Sequence, residues 1–242
     1  MTVAAPRPVI VIPAYDESPR IAETVTAALS VPTGPSGGPA RVVVVDDGSS
    51  DDTASRAAAA GAVVARHNRR RGKGAALATG ASAALELGAT HLVFLDADLR
   101  GSAAEWPRLA APVLAGDADV SVATLPAQQA PGGGRGRVVR LARSGIQSMT
   151  GFSAEQPLSG QRCLTVAAYE TVSPLARGFG IEVGMTIDAL RAGLRVVEVP
   201  VPFFHRVTGS DWRGTTHRAR QLVHVARTLA ARRARRTATR QQ

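Results

Sequence analysis

The sequence contains little cysteine and few aromatic residues. The single cysteine, Cys163, excludes an internal disulfide framework and fits no zinc-ligand pattern. Aromatic residues make up only 4% of the chain, so we expect a core built mostly from Ala, Val and Leu. With two Trp and two Tyr in all, the chain also has few side chains on which nucleic-acid bases could stack. The composition therefore argues against a nucleic-acid-binding protein.

Long apolar runs are also missing. We find no stretch long enough to span a bilayer and no recognisable signal peptide. We therefore expect a cytoplasmic protein that is either soluble or peripheral on the inner face of the membrane. The 242 residues give ample length for a hydrophobic core.

Positive charge is concentrated near the C-terminus. The formal net charge is +10, but the segment from Trp212 onward has nine Arg and no acid, which leaves about +1 for the rest. The spacing of Leu222, Val225, Ala226 and Leu229 predicts an amphipathic helix in this segment. Such a basic helix can lie on an anionic membrane, or it can dock on the protein as a last helix, and the sequence leaves both open.

The first half of the chain alternates short apolar runs with helical patterns. The runs that are typical of buried strands lie at residues 9–12, 41–45, 63–65 and 92–95. This alternation predicts an α/β protein with a parallel, doubly wound sheet. A later strand pattern at 195–201 is interrupted by Pro200 and followed by Pro202, which predicts an edge strand.

Two carboxylates, Asp96 and Asp98, directly follow the apolar run at 92–95. The C-terminal ends of strands are where open α/β sheets bind ligands. Oxygen donors one residue apart suit a hard divalent cation, Mg²⁺ or Mn²⁺, that also holds a diphosphate. Asp is also common at helix N-caps, so the pair alone does not decide between a metal site and a helix start.

A glycine-rich basic turn, Arg71-Gly72-Lys73-Gly74, opens a helical pattern and contains the only lysine of the chain. It lacks the distal Gly and the Ser or Thr of a Walker A motif, and no G-x-G-x-x-G follows the first strand. Backbone N–H groups and one cation at such a turn can still hold a diphosphate. A solvated turn before a helix is the other interpretation.

Seven motifs, in this order along the chain, carry a resemblance to a known family. They are VIPAYDE at 11–17, VVVVDDGSSDDT at 42–53, RRGKGAALATG at 70–80, FLDADL at 94–99, PLSGQR at 157–162, GFGIEVG at 178–184 and FHR at 204–206. With these motifs the chain resembles the family 2 glycosyltransferases, in the branch around dolichol- and polyprenyl-phosphate sugar synthases. The resemblance covers roughly residues 8 to 230.

The resemblance implies a GT-A fold, which is a Rossmann-like α/β fold with a mostly parallel sheet flanked by helices. It predicts a single domain over residues 1–236, with C-terminal acceptor-side elements. The nucleotide-binding half would span about 8–125, the acceptor-side half about 126–211 and the basic C-terminal helix about 215–236. Residues 237–242 would form a disordered tail.

The resemblance also implies a nucleotide-sugar site and a metal site. The residues implied to bind the nucleotide sugar are Pro13, Ala14, Tyr15, Glu17, Asp46, Asp47, Gly48, Lys73, Asp96 and Ala97. Asp46 or Asp47 would contact the base or ribose, Gly48 would allow close approach, and Lys73 would lie near the donor phosphates. Asp98 would bind the divalent cation, Mg²⁺ or Mn²⁺, with His205 as a second protein ligand.

On the acceptor side, Glu182 is the candidate general base if the acceptor is an alcohol. A phosphate monoester acceptor is already an anion and needs no base, and Glu182 would then position a sugar hydroxyl or hold the metal-side loop. A helix N-terminal acid is the other interpretation of Glu182. Arg162, with Ser159 and Gly160, would bind the acceptor, and Arg162 could hold a phosphate through two hydrogen bonds. A surface arginine is the alternative interpretation of Arg162.

Together these roles predict a metal-dependent glycosyltransferase that moves a sugar from a UDP- or GDP-sugar to a polyprenyl phosphate at an anionic membrane surface. The same transfer to a small soluble acceptor, such as a phosphoglycerate-like metabolite, is the first alternative. A non-catalytic nucleotide-sugar-binding module is the second. The sequence leaves the donor sugar and the oligomeric state open.

Overall fold

The computed structural model describes residues 5–32, 40–125, 136–176, 178–204 and 212–239, with the side chains of the last helix described over 221–234. This part of the chain contains one seven-stranded sheet. The strands are β1 Pro8–Ala14, β2 Arg41–Asp46, β3 Val63–Arg66, β4 His91–Phe94, β5 Val120–Thr124, β6 Arg162–Thr165 and β7 Val196–Pro200. The helices are α1 Ile21–Leu29, α2 Thr53–Ala59, α3 Lys73–Glu86, α4 Trp106–Leu114, α5 Arg137–Thr150, α6 Val166–Val172, α7 Ile181–Arg191 and α8 Trp212–Thr239.

The strand order is β3-β2-β1-β4-β6-β5-β7. Strands β3, β2, β1 and β4 are parallel neighbours, and β5 is parallel to β7. Strand β6 is the exception and runs antiparallel to both β4 and β5. The prediction of a mostly parallel sheet is therefore confirmed. The predicted edge position of the proline-containing strand is also confirmed, because β7 ends the sheet.

The core is aliphatic, as the composition predicts. Strands β1 and β2 carry β-branched runs, PVIVIPA and RVVVVD, that are buried almost throughout because helices cover both faces of the sheet. One face of the sheet packs against α1 and α4, and the other face packs against α3, α6 and α7. Trp106 of α4 is fully buried on the first face. A third cluster joins α5, α7 and α8.

The basic helix α8 is docked on the protein. Val225 and Leu229 of the predicted apolar stripe are buried against α5 and α7, whereas Leu222 and Ala226 of the same stripe are exposed. Half of the apolar stripe that a membrane-bound helix would use is therefore occupied by contacts within the protein. The helix ends at Thr239, three residues later than expected, and residues 240–242 lie outside the described part.

None of the helices in the described ranges combines the length and apolarity needed to cross a membrane.

The loops that follow β1 and β2 are joined by hydrogen bonds. The Asp16 backbone N–H donates to Ser49 Oγ (2.9 Å), and Glu17 N–H donates to Thr53 Oγ1 (2.8 Å). Asp51 accepts from the backbone N–H groups of Ser18 (3.1 Å) and Thr53 (3.0 Å). Burial would raise the pKa of Asp51, but these bonds and the Thr53 hydroxyl outweigh it and lower the pKa from 3.8 to about 2. The ionised carboxylate therefore stabilises this edge of the sheet.

We predict that Asp51→Ala destabilises the protein in a pH-dependent way. The folded-state pKa is depressed, so the contribution is fully present above about pH 4 and is lost as the pH falls towards about 2. Urea unfolding should give a loss of about 1–2 kcal/mol at pH 7, which allows for solvent screening, and a smaller loss at pH 3. Asp52→Ala, at the exposed neighbouring residue, is the control. A loss that is the same at both pH values would contradict the assignment.

Candidate functional site

The predicted donor-side residues meet at one edge of the sheet. Ala14 and Asp46 are paired at the C-terminal ends of β1 and β2, and the Asp47 backbone N–H donates to the Ala14 carbonyl at 2.8 Å. Asp96 and Asp98 follow β4 at the same edge. Because parallel strands present their carboxyl ends together, this edge is where a ligand is expected.

Lys73 lies at the centre of the site. Its Nζ lies 2.8 Å from Asp96 Oδ1 and 3.1 Å from Glu182 Oε1, so one ammonium group bridges the two carboxylates. Lys73 is the first residue of α3, after Gly72, whose φ of 94° is favoured by glycine. Burial would lower the pKa of Lys73, but the charges of Asp96 and Glu182 outweigh it and raise the pKa. The amine therefore stays protonated at physiological pH.

The loop at 157–161 packs directly on this ion pair. Gln161 is buried and donates from Nε2 to Asp96 Oδ2 at 2.6 Å, while Ser159 Oγ donates to Gln161 Oε1 at 3.2 Å. A Cβ on Gly160 would lie 2.5 Å from Lys73 Nζ and 3.2 Å from both Asp96 oxygens. Glycine at position 160 therefore lets the loop approach the ion pair without displacing the end of the Lys73 side chain. Sequence reasoning missed Gln161; the one signal was its place between Gly160 and Arg162.

Asp47 fixes the basic turn before Lys73. Its Oδ1 accepts from Arg71 N–H (2.8 Å) and lies 2.7 Å from His67 Nδ1, and its Oδ2 accepts from Gly72 N–H (2.7 Å). The φ of Gly48 is 78°, and a Cβ there would lie within 3 Å of the backbone of the turn at 69–70. The close approach at Gly48 is thus to the protein's own backbone, and a contact of Asp47 with a base or ribose stays a prediction.

Asp46 is fully buried beside the same turn. Its Oδ1 accepts from Ser49 N–H at 2.9 Å, and its Oδ2 lies 3.1 Å from Arg66 Nε without hydrogen-bond geometry.

Tyr15, in the loop after β1, contacts the basic turn at 70–73. The Arg70 guanidinium lies 4.1 Å from the centre of the Tyr15 ring, and the Tyr15 side chain is exposed.

Arg162 is completely buried, so the interpretation as a surface arginine is wrong. Its Nε donates to the Ser159 carbonyl (3.1 Å) and its Nη1 to Thr186 Oγ1 (2.9 Å), while Nη2 has no hydrogen-bond partner. Burial lowers its pKa to about 10, against the opposing effect of Glu182 and Glu198, so it stays charged at neutral pH. Arg162 therefore stabilises the loop at 157–160 through the Ser159 carbonyl. A direct contact between Arg162 and an acceptor stays a prediction.

A cavity of about 380 Å³ opens beside Lys73 and Glu182. Its walls come from the basic turn at 70–73, Val138 at the start of α5, Leu158, the segment at 178–182 and Gln221 of α8. Cationic, carboxylate and apolar groups therefore face one space. A pocket of this size and mixture is typical of a small-molecule site.

The carboxylates suit a divalent cation that is shared with a phosphate ligand. Asp98 is half-buried two residues after Asp96 and supplies a hard oxygen donor. Within the described ranges there is no group of three or more His, Cys, Asp or Glu that could hold a metal by itself. Mg²⁺ is commonly held by one or two carboxylates together with substrate phosphates, so the donor type fits. The predicted second ligand, His205, lies outside the described residues.

Comparison with known proteins identifies the family. The model of glycosyl transferase family 2 matches residues 9–169. Glucosyl-3-phosphoglycerate synthase from Mycobacterium tuberculosis in complex with phosphoglyceric acid is 30% identical, with a TM-score of 0.73 over 95% of this chain and 80% of that one. The same synthase with Mn²⁺, UDP and phosphoglyceric acid is 28% identical, with a TM-score of 0.76 over 95% of this chain and 79% of that one.

A third structure of that synthase, with Mn²⁺, UDP-glucose and glycerol 3-phosphate, is 29% identical, with a TM-score of 0.71 over 95% of this chain and 80% of that one. A comparison with curated proteins finds no match. The predicted GT-A fold is confirmed by these neighbours. The family model matches more than half of this chain. The chain therefore belongs to glycosyltransferase family 2 and is a glycosyltransferase.

Proposed function

We propose that the protein transfers glucose from UDP-glucose to a small phosphorylated acceptor of the phosphoglycerate type, with the help of a divalent cation. The observation that carries the proposal is the Lys73 ammonium, which Asp96 and Glu182 hold beside the cavity. The similar mycobacterial synthase was solved with UDP, Mn²⁺ and phosphoglyceric acid. Its likeness to this chain supports the same classes of donor, metal and acceptor.

The acceptor proposed here is the first alternative of the sequence analysis. The polyprenyl phosphate that the sequence favoured has less support, because Val225 and Leu229 of α8 are buried against α5 and α7 and the similar solved structures contain a phosphoglycerate-type ligand. The cavity of about 380 Å³ suits a small metabolite, and Arg70 in its wall supplies positive charge for the phosphate or carboxylate of that metabolite.

On the donor side, this chain stabilises negative charge on the departing nucleotide. Lys73 is held in place before reaction, so its charge needs no reorganisation as the glycosidic bond breaks. Backbone N–H groups at the start of α3 add positive potential. Asp98 would hold the divalent cation, which acts as a Lewis acid on the diphosphate when bound.

On the acceptor side, Glu182 lines the cavity from the first turn of α7. Its carboxylate can accept a hydrogen bond or a proton from an acceptor hydroxyl that attacks the anomeric carbon. The same group also orients Lys73. The positive charge of Lys73 on the donor side and the base Glu182 on the acceptor side would thus be joined by one ion pair.

We predict that the purified protein releases UDP from UDP-glucose when Mn²⁺ and 3-phosphoglycerate are present, and that EDTA stops the reaction. Asp98→Ala should lower kcat by about 100-fold or more, because a ligand of the charge-stabilising cation is lost. Asp117→Ala, at an exposed acid outside the site, is the matched control and should keep the wild-type rate. UDP release and the glucosylated product would be measured together.

The acceptor is tested in parallel with polyprenyl phosphate in anionic vesicles. Turnover with the lipid and none with phosphoglycerate would reverse the acceptor assignment. Metal-dependent UDP binding without turnover for any sugar donor would favour the non-catalytic binding module instead.

We also predict that Gly160→Ala lowers kcat while the fold is kept. The new methyl group would lie 2.5 Å from Lys73 Nζ, and the flexible lysine side chain would move away from Asp96. A displacement of this kind should cost about 10- to 100-fold in kcat, with little change in melting temperature. In the control Gly101→Ala the methyl group meets nothing closer than 3.8 Å. Wild-type kcat in Gly160→Ala would contradict the proposed role of Lys73.

A further inference from the structure

Helix α8 contacts the segment that carries Glu182. The part of this chain that the family model matches ends at residue 169, and α8 follows it in the sequence. The face of α8 towards the protein contains the buried residues Val225, Thr228, Leu229 and Arg232, whereas Val223 is 46% exposed on the opposite face. Arg232 Nε donates to Asp188 Oδ1 of α7 at 2.9 Å. The helix is therefore fixed against α7 by both apolar and ionic contacts.

Three glycines allow this close contact. A Cβ on Gly178 would overlap the His224 ring, and a Cβ on Gly180 would overlap the Thr228 side chain. A Cβ on Gly184 would lie 2.7 Å from Arg232 Nη2. A larger residue at Gly178 or Gly180 would force α8 away from the segment at 178–180, whereas at Gly184 the flexible end of Arg232 would have to move. The packing is therefore specific to the side chains that α8 presents there.

His224 contacts the segment in two ways. Its Nδ1 accepts a hydrogen bond from the Phe179 backbone N–H at 3.3 Å. The rings of Phe179 and His224 are stacked, with centroids 5.6 Å apart and planes inclined by 26°. Because Nδ1 accepts, the ring proton must lie on Nε2. One side chain thus holds both the backbone and the ring of Phe179.

The contact lies close to the reacting groups. Phe179 and Glu182 both line the cavity, and Gly180 between them is the N-cap of α7. Glu182 is in the first turn of α7 and reaches Lys73 at 3.1 Å. A shift of the turn at 178–180 would therefore move the start of α7, the Glu182 carboxylate and one wall of the cavity together.

We propose that His224 is a positioning residue that acts through Phe179 to hold Glu182 against Lys73 on the acceptor side of the site. Helix α8 then contributes to the geometry of the site through His224. The inference rests on the proposed function for its kinetic consequences, whereas the contact itself can be tested without turnover.

The kinetic test uses two substitutions that separate the hydrogen bond from the stacking. His224→Phe keeps an aromatic ring and loses the acceptor, whereas the Asn oxygen in His224→Asn can replace Nδ1. We expect kcat to fall by about tenfold in His224→Phe, with the KM for UDP-glucose changed less than kcat, because Lys73 keeps its contact with Asp96 when Glu182 shifts. His224→Asn should recover kcat to within about threefold of wild type. Val223→Phe and Val223→Asn, on the exposed face, are the matched controls and should behave like wild type.

Two kinetic outcomes would overturn the proposal. One is a kcat for His224→Phe equal to that of Val223→Phe. The other is an equal loss in His224→Asn and His224→Phe, because the hydrogen bond would then not be the working contact. Thermal melting of each variant separates a kinetic effect from unfolding.

A second measurement needs no activity. Carbon-13 NMR of the His224 ring in the wild-type protein at pH 8 should report the Nε2–H tautomer, as required by an Nδ1 that accepts from Phe179 N–H. An Nδ1–H tautomer would overturn the proposal even in an active enzyme. A wild-type protein that releases no UDP, but shows the Nε2–H tautomer, would instead contradict the proposed function and leave the contact standing.

Discussion

A single ammonium group connects distant parts of this chain. Lys73 comes from the start of α3, Asp96 follows β4, and Glu182 comes from the first turn of α7. Both carboxylates nevertheless lie within 3.1 Å of the Lys73 ammonium nitrogen. Because partly buried charges are costly unless they are paired, the carboxylates and the amine stabilise one another in this arrangement. The same contact that gives the site its charge therefore also joins α3, the end of β4 and the start of α7.

The surrounding residues fix the positions of the charged groups in this ion pair. Asp47 holds the backbone of the turn that leads into Lys73, and Gln161 occupies the second oxygen of Asp96. Gly160 lets the loop at 157–161 reach the pair. On the far side, α8 supports the segment that leads to Glu182. A site built in this way has its charges oriented before any ligand arrives, which is the condition for electrostatic stabilisation of a departing anion.

Much of the donor side could be predicted from the sequence because it depends on local patterns. Runs of Val and Ile predict buried strands, and topology then places the residues after them at one edge. The direction of β6 could not be predicted, since its four residues carry no signal for antiparallel pairing. Nor could the roles of Asp47 and Gln161, because their partners, the N–H groups of Arg71 and Gly72 and the Asp96 carboxylate, are distant in sequence. The docked face of α8 includes Thr228 and Arg232, so its apolar spacing alone misplaces the contact surface.

We propose that Lys73, held by Asp96 and Glu182, provides the positive charge that binds the donor diphosphate. This role can be tested by calorimetric titration of UDP into wild type and Lys73→Met, each with Mn²⁺, with thermal melting to verify that the variant is folded. We expect the variant to bind UDP about 10- to 100-fold more weakly, the loss typical of one charge-assisted contact to phosphate. Equal affinity for UDP in a folded Lys73→Met protein would contradict the claim and would leave Lys73 with a structural role alone.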